Sequence, residues 1–336
     1  MLYAGTQLSA VPHHRGLVPF FVAVVLGMAV WAGVLPLGPL AQGALQAQET
    51  RYTFLLGLQD KALRSSEGAQ ALEDRLIGRL NAAHLFDHRT RIDRKHGEVW
   101  VEIGTDLSEE ALLTLLTGRG AAEFLPVARG GEVLGDLRGA LPAGIELVYG
   151  RGARELDIYL YSADRATLEG WASQLALSDY RIFVGPTGRG DVDAGFRSYL
   201  VARTDKVLGV SGLEAVQLHD GVFPNYHWVS AFWVDTEKSE VDGRLAGRAG
   251  LQSMTEALTP GRMLLAVDGR VWATMSIQRN HEEGQLAIRV TSSSRQAQRD
   301  AARIIAAFLA GEVHPCDIVV VSKGDSAAAP IKSKEP

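Results

Sequence analysis

The chain has 336 residues, of which 46% are hydrophobic and 22% charged, and its formal net charge is −5 at pH 7. This composition is typical of a globular protein, and the length suits about two domains of ~150 residues each. The negative charge argues against nucleic acid as the main partner. Cysteine occurs once, at Cys316, which excludes an internal disulfide. The cysteine count does not indicate the cellular compartment, because envelope proteins need not carry disulfides.

The N-terminal segment, residues 1–48, predicts a membrane anchor. The run Leu17–Leu40 is mostly apolar, carries no charge and is long enough to span a bilayer. Because Arg15 precedes this run, the positive-inside rule places the N-terminus in the cytoplasm and the bulk of the chain in the periplasm. We favour an uncleaved, single-pass anchor in the inner membrane. The alternative is signal cleavage at Ala41-Gln42-Gly43 or Leu45-Gln46-Ala47, followed by release into the periplasm.

Residues 49–135 predict the first of two α+β subdomains, each of ferredoxin-like βαββαβ type. The apolar face of its first helix consists of Leu72, Leu76, Leu80 and Ala83. A hairpin follows, and its second strand alternates at Val99, Val101 and Ile103. Asp106 with Glu109 forms a capping signature for a second helix. The strand Ala121–Val127 then closes this subdomain.

Residues 136–225 predict a βαβ-like middle segment, either an inserted element or an elaborated connector. Its strands lie around Leu156–Leu160 and Arg181–Val184, and its helix carries Leu168, Trp171 and Leu175.

Residues 226–322 predict the second subdomain, which opens with a strand and a helix. The dense apolar run Trp228–Val234 is the strand. Asp235 and Thr236 offer side-chain oxygens that start a helix. We expect this helix to be weakened or kinked at Gly247 and Gly250 and to end at Pro260-Gly261. Its apolar residues are Val241, Leu245, Leu251, Met254 and Leu258.

A hairpin and a last helix complete this subdomain. Met263–Val267 and Val271–Ile277 are joined by Asp268-Gly269, a tight-turn signature. Gln285–Val290 is a further strand or a continuation of the hairpin. The last helix is capped by Ser292–Ser294 and has an apolar side (Ala297, Ala301, Ile304, Ile305, Phe308) and a polar side (Arg295, Arg299, Asp300, Arg303). The strand Asp317–Val321 closes the sheet, and the polar tail 323–336 predicts disorder.

Several of these phrases resemble a known family. The stretch around Asp268-Gly269 and the helix ending Leu309-Ala310-Gly311-Glu312-Val313-His314-Pro315 resemble the head of the first periplasmic domain of SecD, in the SecDF protein-export complex. Upstream, the phrases around Arg79-Leu80-Asn81 and Ala122-Glu123-Phe124 resemble the base of the same domain. The phrases occur in the family's order and together cover roughly half the chain.

The resemblance implies a non-enzymatic, membrane-anchored periplasmic protein that assists export and uses no cofactor. Its implied partners are Sec translocon components and unfolded secreted polypeptides. In SecD, further membrane helices carry a proton path, and the absence of a second long apolar run leads us to expect no proton conduction by this chain alone. One alternative is a periplasmic binding or scaffold module that kept the fold without an export role. A third hypothesis is an enzyme on the same scaffold.

Two patterns imitate metal sites. His84 and His88 are four residues apart near a helix end, and His96 follows, a spacing that could hold zinc. We favour exposed histidines at a helix terminus, because function needs a convergent site. The stretch Asp191–Gly195 imitates the start of a calcium loop, but Phe196 and Ala202 stand where that motif requires glycine and glutamate.

The remaining candidates are also weak. Gly185–Gly190 has the glycine content of a phosphate loop, but Asp191 takes the place of the essential lysine. Gly209–Gly212 is not a nucleophile elbow, since Leu213 replaces the second glycine. The tryptophans Trp228, Trp233 and Trp272 suggest either a polypeptide-binding platform or, as we favour, core residues. We therefore predict no catalytic, cofactor-binding or metal-binding residue, and the polypeptide-binding residues stay unknown.

Overall fold

The structure is a computed structural model that describes residues 50–128, 131–151, 156–175, 177–187, 195–219, 227–278, 281, 283–290 and 294–324. The predicted anchor, its two cleavage sites and positions 325–336 of the predicted tail lie outside these residues.

Helices and strands alternate throughout the described ranges, so the mixed α+β class is confirmed. The α-helices are α1 (Ser66–Ala82), α2 (Glu109–Thr117), α3 (Gly131–Gly135), α4 (Arg165–Ala172), α5 (Gly247–Leu258) and α6 (Arg295–Ala310). The strands are β1 (Thr50–Leu58), β2 (His88–Asp93), β3 (Glu98–Thr105), β4 (Ala122–Pro126), β5 (Glu146–Arg151), β6 (Leu156–Ser162), β7 (Tyr180–Pro186), β8 (Phe196–Ala202), β9 (Leu213–His219), β10 (Trp228–Trp233), β11 (Glu240–Val241), β12 (Arg244–Leu245), β13 (Gly261–Val267), β14 (Arg270–Ile277), β15 (Gln285–Arg289) and β16 (Ile318–Gly324).

The sheet that we call the terminal sheet is built from both ends of the described chain. Its order is β16-β1-β3-β2, and every neighbouring pair is antiparallel. The elements β1, α1, β2, β3, α6 and β16 follow one another in βαββαβ order, with residues 106–294 inserted between β3 and α6. The predicted apolar face of α1 and the alternating residues of β3 are buried in one core.

Two strands do not lie in the sheets of the subdomains to which they were assigned. The strand β4, expected to close the first subdomain, pairs with β13, where Phe124 lies opposite Leu265. The strand β16, expected to close the second subdomain, pairs with β1, where Ile318 lies opposite Leu58. Alternation along a strand specifies which face is buried but not which strand lies beside it. The pairings therefore cross the predicted boundaries at residues 135 and 226.

Residues of the predicted second subdomain form two three-stranded sheets, which we name after their central strands. The β13 sheet has the order β14-β13-β4, and the β10 sheet has the order β15-β10-β9. β15 is thus a further strand and does not continue the β13–β14 hairpin. One apolar core joins these sheets to the terminal sheet and its helices.

The predicted helix from Asp235 is wrong in its first half. Residues 240–245 form the two-stranded hairpin of β11 and β12, and α5 begins at Gly247. Asp242 and Gly243 turn this hairpin with φ values of 51° and 74°. An Asp-Gly pair supplies this left-handed turn at low cost, so the local turn prevails over the helical spacing of Val241 and Leu245.

The helix α6 lies where predicted. Its N-cap is Ser294, whose hydroxyl accepts from the Ala297 N–H at 3.1 Å. Half of its predicted polar side is buried, however. Asp300 and Arg303 are each only 6% exposed, because α6 packs against α1 and α2 and also against β9 and β10. A helix is buried on several sides along the part that lies between two layers, whereas Arg295 in its first turn is exposed.

The middle segment folds into a sheet with a core of its own. Its order is β5-β6-β8-β7, and α4 connects β6 to β7. The predicted βαβ pattern is therefore present as β6-α4-β7, with β8 between its two strands. Leu168 and Leu200 lie in this core, while Tyr199 and Val271 join the segment to the β13 sheet.

Candidate functional site

The phrases that resemble SecD lie far apart in the chain and meet at one place. The segment Gly118–Ala121 links α2 to β4. It is held by Arg79 of α1, by Asp268 of the β13–β14 turn and by His314 of the loop after α6. We call these residues, with Phe308, the motif junction.

Arg79 enters the junction from the buried side of α1. Its side chain is 1% exposed, and its guanidinium donates to the carbonyl oxygens of Gly118 at 2.5 Å and Arg119 at 2.6 Å. The guanidinium carbon also lies 5.1 Å from the centre of the Phe308 ring. Burial lowers the pKa of Arg79 to about 10, an effect that the charge of Asp268 opposes. Arg79 therefore stays charged at neutral pH.

Asp268 closes the junction from the hairpin. Its φ of 51° belongs to the Asp-Gly turn, as the sequence predicts. The carboxylate accepts from the backbone N–H groups of Gly120 at 3.1 Å and Ala121 at 2.9 Å. A carboxylate that accepts two backbone N–H groups makes strong, charge-assisted bonds.

The loop after α6 supplies the third side. The His314 N–H donates to the carbonyl oxygen of Arg119 at 2.8 Å, and its ring Nδ1 donates to the carbonyl oxygen of Cys316 at 2.7 Å. Burial lowers the pKa of His314, and the neighbouring arginine charges, including that of Arg79, act in the same direction. The imidazole is thus mainly neutral at pH 7 and serves as a fixed donor.

The junction is too tight for side chains at two of its positions. A Cβ on Gly118 would lie 2.7 Å from the Cζ atom of Phe308, and a Cβ on Gly120 would lie 2.9 Å from a guanidinium nitrogen of Arg79. Gly120 also has a φ of 82°, which disfavours other residues.

The role of the motif junction is structural. Burial, together with the charges of Asp60 and Asp317, raises the pKa of the Cys316 thiol, so this group lacks thiolate character at neutral pH. The hydrogen bonds instead tie α1, the β13–β14 hairpin and the loop before β16 to one segment.

Comparison with known proteins finds similarity in structure only. No family model matches the chain, and no curated protein matches its sequence. The fold is similar to SecDF. A SecDF structure in the super-membrane-facing form aligns with 16% identity and a TM-score of 0.40 over 82% of this chain and 30% of that one.

Two further SecDF structures give the same result. A structure of the membrane component SecDF that enhances protein export shows 17% identity and a TM-score of 0.39 over 80% of this chain and 98% of that one. SecDF from Thermus thermophilus shows 15% identity and a TM-score of 0.28 over 82% and 30%. The chain thus spans about a third of the length of two of these proteins. SecDF, which phrases of the sequence resemble, is thus also what the structure is similar to.

The predicted zinc histidines are not brought together. His84 is exposed and stacks on Phe86 with ring centres 5.8 Å apart, and the Nδ1 of His88 bonds the Leu85 carbonyl at 2.7 Å. His96 does lie in a cluster that the sequence analysis missed, in which ligand atoms of Asp93, His96 and Glu98 lie within 4.8 Å of one another. The close spacing of these three residues across one hairpin turn was the available signal.

The groups of this cluster already have partners. His96 Nδ1 bonds the Asp93 carboxylate at 2.9 Å, and a hydrogen bond from His96 is the main cause of a lowered pKa at Asp93. Glu98 pairs with Arg64 at 3.0 Å. The geometry is that of a hairpin turn held by its own side chains.

The three tryptophans do not form one platform. Trp233 is 3% exposed and packs edge-on against Phe124 with ring centres 5.2 Å apart, which confirms the core prediction for this residue. Trp228 is half-buried on β10 and stacks on His219 at 3.7 Å. Trp272 is half-buried on β14, with the Arg270 guanidinium 5.0 Å from its ring centre.

The other sequence candidates occupy ordinary positions or are not described. Residues 188–194, which hold most of the phosphate-like and calcium-like stretches, lie outside the described residues. In the Gly209–Gly212 segment, the Ser211 carbonyl accepts from the Gly247 N–H at 2.9 Å beside the start of α5. In the described ranges, no helix is both long and apolar enough to cross a bilayer.

Proposed function

We propose that this protein assists protein export from the periplasmic side of the inner membrane. It is held there by its N-terminal apolar segment and contacts unfolded or emerging polypeptide transiently, without catalysis. The observation that carries this proposal is the convergence of Arg79, Asp268 and His314, three residues from separate SecD-like phrases, on the segment Gly118–Ala121.

The junction gives this role a mechanical basis. It ties α1, which packs on the terminal sheet, to the β13–β14 hairpin. The terminal sheet directly follows the anchor in the chain. A polypeptide held at the β13 sheet is therefore linked to the membrane through hydrogen bonds and a continuous core.

The outer face of β14 is the surface that we assign to polypeptide contact. Trp272, Thr274 and Ser276 alternate with the buried residues Val271, Ala273 and Met275. Trp272 is partly buried against the main core, and its remaining exposed area beside Arg270 provides apolar surface with a polar rim, which suits weak binding of many sequences.

Photo-crosslinking in living cells tests the proposal. A crosslinking amino acid at Ser276 should capture secreted precursors, whereas the same amino acid at Ser322, an exposed serine on β16, should capture far fewer. Deletion of the protein should slow precursor maturation. Normal maturation in the deletion strain, together with no capture from Ser276, would favour the scaffold alternative. The partners of this protein would then not be export components.

A further inference from the structure

The edge of β14 presents backbone groups that no neighbouring strand of its sheet uses. β14 is an outer strand of the β13 sheet, with β13 on one side only. An edge strand offers a row of N–H and C=O groups that can pair with another chain. The hydrogen bonds of the adjacent strands show which residues of β14 offer these groups.

The direction of the backbone groups can be followed from β4 through β13 to β14. Phe124 and Leu208 exchange backbone hydrogen bonds in both directions, at 2.9 and 3.0 Å, so the backbone groups of Phe124 point away from β13. Opposite residues of an antiparallel pair alternate between hydrogen-bonded and non-bonded. Leu265, which lies opposite Phe124, therefore directs its backbone groups to its other partner, Ala273 of β14.

The same alternation continues along β14. Ala273 and Met275 direct their backbone groups to β13, so Thr274 and Ser276 direct theirs to the free edge. In the described ranges, no backbone hydrogen bond joins either residue to another strand or loop. Two N–H and two C=O groups are thus available side by side.

The side chains along this edge do not block it. Free edges are commonly protected by charged residues or proline, and the edge strand β2 carries Arg89 and Arg91. The stretch Ala273–Ile277 contains no charged residue and no proline. Thr274 is half-buried and Ser276 is exposed, so an approaching chain can reach this stretch.

The surroundings of the edge favour a thin, extended chain over a folded partner. At the start of β14, the strand β7 packs so closely that a Cβ on Gly185 would lie 2.7 Å from Val271. The pairing of β13 with β14 is also irregular there, after Leu265. The regular stretch beyond has only two outward-directed residues, which suits a short added strand and gives little area to a second folded copy.

We propose that unfolded polypeptide binds as an added strand on the edge of β14, through backbone hydrogen bonds to Thr274 and Ser276. This inference rests on the proposed function and names how the polypeptide is held. Because backbone groups are the same in every sequence, this mode accepts many secreted chains. It also selects against folded proteins, whose backbone groups are already paired.

The first test compares two threonine-to-proline variants of the full chain. Proline removes an N–H and is tolerated on an edge strand where that N–H points outward. Thr274→Pro removes one proposed donor. Thr90→Pro is the matched control, because Thr90 lies on the edge strand β2, where the bond from the Gly104 N–H to Asp87 fixes the same outward direction.

The probe is a fluorescent peptide of alternating threonine and valine with N-methylated valine amides. One edge of this peptide stays free to add to a strand, and the other cannot pair with a second peptide. Thr274→Pro should weaken binding of the probe about tenfold, and Thr90→Pro should leave it unchanged. A peptide that is N-methylated at every amide should not bind.

Hydrogen exchange resolved to single amides gives a second readout, which needs no variant and which contact between side chains alone would not change. In the free chain, the N–H groups of Thr274 and Ser276 should exchange fast. In the complex they should be protected. The N–H groups of Ala273 and Met275 should be protected in both.

Three results would overturn the inference. Unchanged exchange at Thr274 and Ser276 in the complex, or equal affinities of the two proline variants, would show that no strand is added there. Undiminished binding of the fully methylated peptide would assign the contact to side chains and leave the proposed function standing. Protection of both amides that rises with the concentration of the free chain would assign the edge to a second copy. Failure of the unmodified chain to bind either peptide is a separate result that would overturn the proposed contact at β14 as well.

Discussion

Asp268 and Ala121 are hydrogen-bonded to each other in both directions. The Asp268 N–H donates to the Ala121 carbonyl oxygen at 2.9 Å, and the Ala121 N–H donates to the Asp268 carboxylate at 2.9 Å. These bonds continue the ladder between β13 and β4 past the last paired residues, Val267 and Ala122. The turn of one hairpin thereby fixes the start of a strand that comes from a distant part of the sequence.

Asp268→Ala should lower the free energy of unfolding of the region Glu49–Pro336 by about 1–2 kcal/mol more than Asp242→Ala, because only Asp268 loses two carboxylate hydrogen bonds. Both residues have a φ of 51° in an Asp-Gly turn, so the backbone cost of alanine is matched. Urea unfolding measures the difference. Equal losses in the two variants would show that the carboxylate does not fasten the junction.

Arg79→Lys should destabilise the same region by about 2 kcal/mol, because one ammonium group cannot bridge the carbonyls of Gly118 and Arg119 as the planar guanidinium does. Arg75→Lys, one helical turn earlier, is the control. Its ion-pair partner Glu312 is 83% exposed, so the expected change is within about 0.5 kcal/mol. A shift of the urea midpoint for Arg79→Lys no larger than that for Arg75→Lys would contradict this role.

Gly120→Ala should be more destabilising than Gly269→Ala. Both glycines have positive φ, at 82° and 77°, and alanine costs about 1–2 kcal/mol in that conformation. The new Cβ meets nothing within 4 Å at Gly269 but meets Arg79 at 2.9 Å and Phe308 at 3.2 Å at Gly120, which adds about 1–3 kcal/mol of overpacking. Thermal unfolding of the two variants measures the difference, and equal melting temperatures would refute the tight approach.

Asp106 should give the protein part of its stability at neutral pH. Burial would raise the pKa of Asp106, but a hydrogen bond from Arg303 at 2.6 Å and the charges of Arg303 and Arg299 outweigh burial and lower it. A depressed folded-state pKa stabilises the fold above the unfolded-state value of about 3.9, and this stability is lost as the pH falls through the lower folded-state value.

Asp106→Asn should therefore reduce the free energy of unfolding at pH 7, and this free energy should fall less on acidification below about pH 4 than in the unmodified protein. Asp235→Asn is the control, because the Asp235–Arg248 pair is largely exposed and contributes little. Urea unfolding across this pH range measures both slopes. Parallel curves for Asp106→Asn and the unmodified protein would rule out the linkage.

Local signals account for much of what could be predicted. The Asp268-Gly269 turn, the alternation in β3 and the limits of α6 follow from the nearest few residues, and the structure has all three. The same Asp-Gly signal is present at Asp242-Gly243, where the helical spacing of Val241 and Leu245 led to a wrong prediction. Where two local patterns compete, the tighter turn decides, because it fixes the dihedral angles of two residues at once.

Caps and charges were harder to assign. Asp106 was predicted to cap α2, but Ser108 is the N-cap residue, with its hydroxyl accepting from the Ala111 N–H at 3.3 Å. Asp106 instead pairs with Arg303 of α6. This ion pair could not be predicted from the sequence, because the two residues are far apart in the chain and ion pairs form wherever the fold brings opposite charges together.

The sequence by itself determined most helices and strands and the phrases that resemble SecD. Helical and strand periods depend on neighbouring residues, so α1, α4, β3 and β10 could be predicted. Only the tertiary structure decided that β16 pairs with β1, that Asp300 and Arg303 are buried, and that Arg79 and Asp268 meet. Backbone hydrogen bonds are alike for every strand, and burial depends on the layer that packs on top. The local sequence pattern therefore specifies neither the strand partner nor the burial of a helix side.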